Sequence, residues 1–220
     1  MMSSVSRETP APPASAREYF GARLPIAERY AQLLAGPGIE RGLLGPHEVG
    51  RLWERHLLNC AVIHEAMPAG ATVADVGSGA GLPGLVLALL RTDLQITLVE
   101  PMLRRVTYLN EVVKALELSN VAVVRARAEE LHGRLAVDRV TARAVAPLAK
   151  LARWTLPLLR PGGMLVALRG SSVVAEVESA GDELAALGAV SWVVRFYGEG
   201  VLDPPTRVAL VEVGRVVRQS

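Results

Sequence analysis

The sequence predicts an α/β protein, with an open parallel sheet that carries helices on both faces and a small helical extension before it. Two observations support this fold class. From residue 72 onward, short apolar runs alternate with stretches of helical character. Before residue 68, apolar residues instead recur at helical spacing. Ligands of such sheets bind at the carboxyl ends of the strands, so we expect a functional site at that edge.

The N-terminal part divides into a tail and two predicted helices. Residues 1–15, with prolines among Ser and Ala, are expected to form a flexible tail. Apolar spacing predicts a helix from Ala16 to Leu34, stopped by Gly36-Pro37-Gly38. A second helix is predicted from about Glu48 to Ala66, and both belong to a substrate-binding extension over residues 16–68. The second helix would bury one stripe, formed by Leu52, His56, Cys60 and Ile63.

Residues 69–220 are predicted to form the sheet domain, because apolar runs and helices alternate there. The predicted strands are Val73–Val76, Ile96–Val99, Val121–Val124, Val140–Val145 and Met164–Leu168, then two closing strands near Val190–Tyr197 and Arg207–Val213. The predicted helices are Leu82–Arg91, Leu103–Leu116, a short one near Ala128–Leu131, Leu148–Leu159 and Val173–Leu187.

The composition limits the function classes. The chain has 220 residues, 50% of them hydrophobic, which predicts a packed core. No apolar run reaches the roughly 20 residues of a membrane span, and residues 1–15 lack the hydrophobic block of a signal peptide. Cys60 is the only cysteine, which excludes an intrachain disulfide and a cysteine zinc cluster. We therefore expect a cytoplasmic protein without a metal. The sequence does not determine the oligomeric state, for which we take a monomer. The net charge of +2 does not by itself indicate a nucleic-acid partner.

The glycine-dense segment from Asp75 to Gly84 is the most informative part of the chain. Its sequence DVGSGAGLPG contains a GxGxxG pattern that could mark a dinucleotide fold. With Asp75 included, the same segment matches the first motif of class I S-adenosylmethionine-dependent methyltransferases. A carboxylate at the strand end can serve the methionine ammonium, whereas it would repel a pyrophosphate. We therefore favour S-adenosylmethionine as the cofactor. The expected contacts in this segment are Asp75, Gly77, Gly79, Gly81 and Leu82.

Three later positions complete the predicted cofactor site. Glu100 ends the second apolar run and could accept hydrogen bonds from both ribose hydroxyls, a feature that nicotinamide proteins share. Ala128-Glu129 follows the third strand, where this class often contacts adenine, although an ordinary helix start is the alternative. Arg143 ends the fourth strand, which faces the reactive carbon of the donor in the class I fold. We expect Arg143 to position the reactants, with no general base.

Taken together, these residues resemble a family of bacterial small-subunit (16S) ribosomal RNA methyltransferases that modify guanine N7, the glucose-inhibited division protein B family. The resemblance covers roughly residues 16–213. The matching segments are Trp53–Asn59, Asp75–Gly84, Glu100-Pro101 with Arg104-Arg105, Arg127–Glu130, Ala142-Arg143-Ala144 with Leu148, and Leu168-Arg169-Gly170.

The resemblance implies how the two ligands are held. The implied donor contacts are Gly77, Leu82, Glu100, Ala128, Glu129 and Arg143. It also implies RNA contact by the N-terminal helices and by basic residues around the cleft. The candidates are Arg51, Arg55, His56, Arg104, Arg105, Arg169 and Arg207, each with a structural or solvent-exposed role as its alternative. The partner is then small-subunit ribosomal RNA, either free or assembled with ribosomal proteins.

Two departures from the family pattern affect these assignments. The family usually has an acidic residue and a serine where this chain has Asn59 and Cys60. It also usually has Lys at the position of Arg169. Because Arg and Lys are not interchangeable at tight sites, the role of Arg169 stays open.

The sequence lacks the motifs that methylation of other base positions usually requires, and this is consistent with an N7 target. Exocyclic adenine methylation usually uses an Asn/Asp-Pro-Pro-aromatic motif, but residues 142–147 read ARAVAP. Pyrimidine C5 methylation needs a cysteine nucleophile, and Cys60 lies in a predicted N-terminal helix. Guanine N7 has an available lone pair, so alignment with the methyl carbon is sufficient. The alternatives are a methyltransferase for another RNA or a small molecule, a nicotinamide-dependent oxidoreductase, and a non-enzymatic RNA-binding module.

Overall fold

The computed structural model describes residues 9–143 and 145–214 and is built around one seven-stranded sheet. The strands are β1 Thr72–Val76, β2 Gln95–Val99, β3 Val121–Val124, β4 Val137–Arg143, β5 Leu159–Arg169, β6 Ala189–Tyr197 and β7 Thr206–Val213. Their order is β3-β2-β1-β4-β5-β7-β6. The first five are parallel, whereas β7 is antiparallel to both β5 and β6. Of the two closing strands only β7 reverses direction, because a short loop joins it to β6 and a parallel pair would need a long crossover.

Helical elements of three kinds surround the sheet. The α-helices are α1 Ala14–Phe20, α2 Leu24–Leu33, α3 Asn59–Ala61, α4 Gly84–Leu90, α5 Leu103–Ala115, α6 Leu148–Thr155 and α7 Val173–Ala186. The 3-10 segments are Gly21–Arg23, Pro46–Arg51, Val62–Ala66, Ala128–Leu131 and Leu156–Leu158, and the π-helical segments are Leu34–Gly38 and Leu52–Leu58. Within the two described ranges, no helix has the length and apolar character needed to cross a membrane.

The sheet buries a hydrophobic core on each face, in agreement with the helices predicted on both faces. Val73 in β1 packs on the side of α4, α5 and the N-terminal helices. Its neighbour Ala74 packs on the opposite side with α6 and α7. Successive residues of a strand point to opposite faces, so one short run of apolar residues serves both cores.

The first predicted helix is interrupted, and its predicted stop is wrong. Gly21 adopts a positive φ of 48° and separates α1 from α2. Gly36-Pro37-Gly38 does not end the helical path but lies in a π-helical segment. A Cβ at Gly38 would lie 3.2 Å from the Tyr108 hydroxyl, so this glycine permits close packing against α5.

The predicted tail is also shorter than expected. Helix α1 begins at Ala14, inside the segment 1–15. The Trp53 indole N–H donates to the carbonyl of Pro10 at 2.8 Å, which attaches residues before α1 to the helical extension. The rest of the predicted tail, residues 1–8, lies outside the described part of the chain.

The second predicted helix is present as four consecutive helical segments of different type. It passes through 3-10, π, α and 3-10 segments between Pro46 and Ala66. The four residues of its predicted stripe are all buried, which confirms the face assigned to the core.

Several boundaries in the sheet domain differ from the prediction. Strand β4 ends at Arg143, so Val145 lies in the following loop, and Ala144 lies outside the described residues. The predicted helix from Leu148 to Leu159 is α6 plus a 3-10 turn, and β5 begins at Leu159. Helix α4 begins at Gly84, after Pro83.

Buried hydrogen bonds attach the N-terminal helices to the sheet. The Tyr30 hydroxyl donates to the carbonyl of Ala80 in the glycine segment at 2.8 Å. The Asn59 amide donates to the Thr206 hydroxyl of β7 at 2.8 Å, and that hydroxyl lies 3.2 Å from the Asn59 carbonyl. The extension is therefore fixed both to the glycine segment and to the far side of the sheet.

We predict that Tyr30→Phe lowers the free energy of unfolding by about 1 to 3 kcal/mol, because it leaves the buried Ala80 carbonyl without its donor. The measurement is the urea midpoint, with an unchanged dependence of stability on urea concentration. Tyr197→Phe is the matched control, since no described residue is hydrogen-bonded to the Tyr197 hydroxyl. Equal effects of the two substitutions would contradict the assigned role of Tyr30.

Candidate active site

A glycine loop, residues 77–83, connects the end of β1 to the start of α4. Gly77, Gly79 and Gly81 all have positive φ, at 72°, 56° and 98°. A Cβ at Gly77 would lie 2.9 Å from Val145 Cγ2, whereas one at Gly81 would lie 2.2 Å from Leu85 Cδ1. Both glycines are therefore required by close contacts as well as by backbone conformation.

A first cavity, of about 520 Å³, opens at the carboxyl ends of β1, β2 and β4. This is the edge predicted from the fold class, and the volume lies within the usual range for small-molecule sites. The predicted cofactor contacts that line it are Gly77, Gly79, Leu82, Glu100, Ala128, Glu129 and Arg143. Seven residues from distant parts of the chain are thus brought together as the sequence suggested.

Glu100 is the buried acidic group of this cavity, with 1% of its surface exposed. Its Oε2 accepts a hydrogen bond from the Gly79 N–H at 3.1 Å, and its Oε1 accepts one from the Met102 N–H at 3.0 Å. Arg105 Nη1 lies 3.5 Å from Oε2. Each carboxylate oxygen can accept a second hydrogen bond, so the fixed side chain can still bind two hydroxyl groups.

Asp75 does not reach the first cavity, although the sequence suggested a contact with the methionine ammonium. The side chain is fully buried, with Oδ2 accepting from the Gly84 N–H at 3.1 Å and Oδ1 from the Thr141 hydroxyl at 3.0 Å. Asp75 faces the side of the sheet covered by α4, because alternate residues of β1 point to opposite faces. It holds the glycine loop in place, and the predicted direct contact is not supported. Gly81 is likewise absent from the cavity wall.

Arg143 lies between the first cavity and a second one. The second cavity, of about 620 Å³, is lined by Glu48, Arg55, His56, Asn59, Arg143, Val145, Ala146, Leu168, Arg169 and Gly170. Arg143 Nη2 donates to His56 Nδ1 at 2.8 Å, and Nη1 lies 3.4 Å from the Arg55 carbonyl. These contacts aim the guanidinium from the end of β4 toward the N-terminal extension.

His56 links Arg143 to an acidic residue of the extension. Its Nε2 lies 2.7 Å from Glu48 Oε2, which assigns the proton to Nε2 and leaves Nδ1 as the acceptor for Arg143. Burial and the adjacent charge of Arg143 lower the pKa of His56 to about 4. His56 is therefore neutral near pH 7 and has a structural role, one of the two interpretations given to it.

Cys60 lies beside this group but is not prepared for nucleophilic attack. The thiol is fully buried and 3.7 Å from Arg143 Nη1. Burial raises the pKa of the Cys60 thiol to about 11, so the reactive thiolate is scarce at neutral pH. Among the described residues, no group of three or more His, Cys, Asp or Glu side chains is placed to hold a metal ion.

Comparisons with a family model and with known proteins identify the relatives of this chain. The model of the GidB family, described as rRNA small subunit methyltransferase G, matches residues 23–203. Ribosomal RNA small subunit methyltransferase G of Streptomyces avermitilis is 58% identical over 94% of this chain and 87% of its own length. The protein of the same name from Corynebacterium glutamicum is 55% identical, over 89% of this chain and 88% of its own.

This chain belongs to the rRNA small subunit methyltransferase G family. Solved structures of lower identity show that its fold is shared more widely. TYW2 of M. jannaschii, solved in complex with AdoMet, has a TM-score of 0.58 at 18% identity, covering 75% of this chain and 78% of that one. A methyltransferase from Pyrococcus furiosus has a TM-score of 0.55 at 16% identity, covering 70% and 80%. The fold is therefore that of the class I S-adenosylmethionine-dependent methyltransferases, as predicted.

The basic residues proposed to contact RNA in this family member fall into two groups. Arg51, Arg55 and Arg104 are exposed, and Arg207 is half-buried on β7, directly opposite Arg169 on β5. Their positions are compatible with RNA contact, which stays a prediction. Arg105 instead lines the first cavity beside Glu100. Adjacent residues of α5 point in different directions, so Arg104 faces solvent and Arg105 faces the cavity.

Arg169 is more constrained than a phosphate-binding residue on the surface would be. Only 8% of its side chain is exposed, Nη1 donates to the Ala146 carbonyl at 2.7 Å, and Nη2 pairs with Glu176. It nevertheless contributes to the wall of the second cavity. Contact with a phosphate on the protein surface is therefore not supported for Arg169.

Sequence analysis missed some residues of the two cavities. Leu43, Leu44 and Met102 line the first one, and Glu48 lines the second. Glu48 stands eight residues before His56, a spacing that places both on one side of a helical path and was an available signal. The others are apolar residues in loops, which no motif marked.

The pKa of Asp75 gives a test of its structural role, because burial raises it to about 6 from 3.8. The folded protein then binds this proton more tightly than the unfolded chain. The Asp75 charge therefore lowers stability at neutral pH, and acidification from pH 7 to pH 5 should recover about 1 kcal/mol. We predict that Asp75→Asn lacks this gain in the free energy of unfolding on acidification. Urea unfolding at pH 7 and at pH 5 measures it.

Asp138→Asn is the control for Asp75. Burial of Asp138 is outweighed by hydrogen bonds from Thr72 and Arg160, which lower its pKa. The charge of Asp138 stabilises the fold above the unfolded pKa, and this contribution is lost as the pH falls. Acidification therefore changes stability through Asp138 in the direction opposite to that through Asp75. If the wild type and Asp75→Asn have the same pH dependence, the raised pKa is refuted.

We predict that Glu100→Ala lowers the affinity for S-adenosylmethionine by at least about tenfold, since hydrogen bonds to a charged group contribute about 1.5 to 3 kcal/mol each. Calorimetric titration gives the dissociation constant, and unfolding measurements show whether the fold is kept. Glu178→Ala, at an exposed position of α7, should leave the affinity unchanged. Unchanged affinity in Glu100→Ala would reject this assignment.

Proposed function

We propose that this protein transfers the methyl group of S-adenosylmethionine to N7 of a guanine in small-subunit (16S) ribosomal RNA, acting in the cytoplasm as a monomer. The observation that carries the proposal is the position of Arg143, which lines both the first cavity and the second, arginine-containing one. A donor in the first cavity and a base in the second would meet at this side chain. Membership of the rRNA small subunit methyltransferase G family supports ribosomal RNA as the acceptor.

The residues of the first cavity fit the parts of the donor. Glu100 offers acceptors for the ribose hydroxyls, while Ala128 and Glu129 line the wall where adenine would lie. The glycine loop brings backbone close to the ligand because Gly77 and Gly79 carry no side chain. S-adenosylmethionine supplies an electrophilic methyl group, and the protein's contribution is to bind and orient it.

Alignment is the main task of this chain in the reaction. Guanine N7 carries an in-plane lone pair at neutral pH, so no group has to remove a proton before attack. Holding two reactants in line can contribute about 7 to 11 kcal/mol in favourable cases. Arg143 suits this role, because hydrogen bonds to His56 and the Arg55 backbone fix its direction. With its raised pKa, the Cys60 thiol would not serve as a covalent nucleophile.

The target base has to leave its stack to reach this position. N7 lies on the major-groove edge, and the major groove of A-form RNA is too deep and narrow for protein side chains. An unpaired or extruded guanine can enter a cavity, while exposed arginines bind the flanking phosphates. Arg51, Arg55 and Arg104 are exposed and are candidates for these contacts.

The alternative activities are less compatible with the site. A small-molecule methyltransferase would close its N-terminal helices over a small cavity, but here the second cavity is lined by Arg55, Arg143 and Arg169 and is open to solvent. An RNA-binding module without catalysis would leave Glu100 and the glycine loop without a use. An oxidoreductase would need a reachable proton donor, whereas His56 is buried and neutral.

Transfer of labelled methyl to small ribosomal subunits and to their stripped RNA, taken from cells lacking this protein, tests the proposal. Borohydride–aniline treatment cuts RNA at N7-methylguanosine, and we predict a single cut. Comparing the two substrates shows whether ribosomal proteins are required. Arg143→Ala should keep its fold and lose the cut. Label without a cut would reject N7, and no label with donor binding intact would favour a small-molecule substrate.

A further inference from the structure

The second cavity contains an acidic side chain that the transfer of a methyl group to N7 does not require. Glu48 belongs to the 3-10 segment Pro46–Arg51 of the extension and lines the second cavity together with Arg143. Every other charged residue of this wall is an arginine. Glu48 orients His56, but a carboxylate in this wall would also weaken binding to phosphate, so the cavity is not a simple phosphate site.

We propose that the second cavity receives the target base and that Glu48 selects guanine by accepting hydrogen bonds from its N1–H and 2-amino groups. This inference rests on the proposed function and deepens it, since it names the residue that would discriminate among bases at the same site.

One oxygen of Glu48 is available for such a ligand. Oε2 lies 2.7 Å from His56 Nε2 and 3.3 Å from Arg55 Nε. Oε1 has no hydrogen-bonding partner among residues 9–143 and 145–214. Burial is outweighed by the His56 hydrogen bond and by the charges of Arg55 and Arg51, which lower the pKa of Glu48. The side chain is thus an ionised carboxylate that only accepts hydrogen bonds.

Glu48 and Arg143 lie on either side of the His56 imidazole ring, to which they are joined by hydrogen bonds of 2.7 and 2.8 Å. Both side chains also line the second cavity. In guanine, N7 and the 2-amino group lie on opposite sides of the bicyclic ring. A base whose N7 points toward Arg143 and the first cavity therefore turns its 2-amino group away from Arg143, and Glu48 is the acidic side chain of the remaining wall.

The chemistry of the carboxylate favours guanine over the other purine. Guanine presents two adjacent donors, N1–H and the 2-amino group, to a side chain that only accepts hydrogen bonds. Adenine has an acceptor at N1 and no 2-amino group, so it would turn a lone pair toward Glu48. Arg169 adds no contact without moving, because Nη1 and Nη2 are bonded to the Ala146 carbonyl and to Glu176 and its Nε is buried.

Inosine gives a direct test at the nucleotide located by the cleavage experiment. Inosine retains N7, O6 and N1–H and lacks only the 2-amino group. We expect wild-type kcat/KM to be about 10- to 100-fold lower for RNA with inosine than for RNA with guanosine, as for other specific base contacts. Glu48→Gln should methylate both RNAs slowly and bring their ratio close to one.

The matched control is Glu54→Gln, an exposed position that does not line either cavity, and it should keep the wild-type ratio. Donor affinity measured by calorimetry shows whether Glu48→Gln is folded. If Glu48→Gln slows both substrates equally and keeps the ratio, Glu48 only supports His56 and the proposal is wrong. Equal wild-type rates on the two RNAs overturn it even if the variant does not fold. Failure of the wild type on guanosine RNA would instead reject the proposed function itself.

Discussion

The buried carboxylate of Asp75 is the interaction on which the shape of the active site depends. It joins three elements, since it belongs to β1, accepts from the first residue of α4 and accepts from Thr141 in β4. The glycine loop runs between two of these anchored points, and therefore its path is fixed at both ends. A Cβ at Gly84 would lie 2.7 Å from Asp75 Oδ2, so only glycine allows the helix to start this close to the strand. The loop can then present Gly77 and Gly79 to a ligand without reorganising.

A second chain of contacts connects this rigid sheet edge to the N-terminal extension. From Arg143 it passes through His56 to Glu48, with each hydrogen bond oriented by the tautomer of one buried histidine. Asn59 and Tyr30 fix the same helices at two further points, on β7 and on the glycine loop. At Asn59 the side-chain amide serves as the donor to Thr206. The extension is thus part of the site rather than a separate appendage.

The sequence predicted the architecture well because alternation in strands and periodicity in helices are local properties. All seven strands were located, and the residues at the ends of β2 and β4 were correctly brought together. What the sequence did not predict is the direction in which a side chain points and the residue with which it pairs. Asp75 was placed at the mouth of the site from its position near a strand end, but the face to which it points depends on which helices cover the sheet. The role of Arg169 was left open, because the sequence does not show that Glu176, on the next helix, would pair with it. Glu48 belongs to no motif that the sequence shows, and its role depends on the tertiary contact with His56.

Because Arg143 forms part of the wall of both cavities, the two ligands of this enzyme share one side chain. Hydrogen bonds from the guanidinium to His56 and to the Arg55 backbone already fix its direction, so neither ligand has to order it. If a bound donor alters that arrangement, the change reaches the second cavity through the same side chain, and by thermodynamic linkage bound RNA then alters the donor affinity by the same factor. A single arginine held by a neutral histidine is thus the point through which one binding event can affect the other.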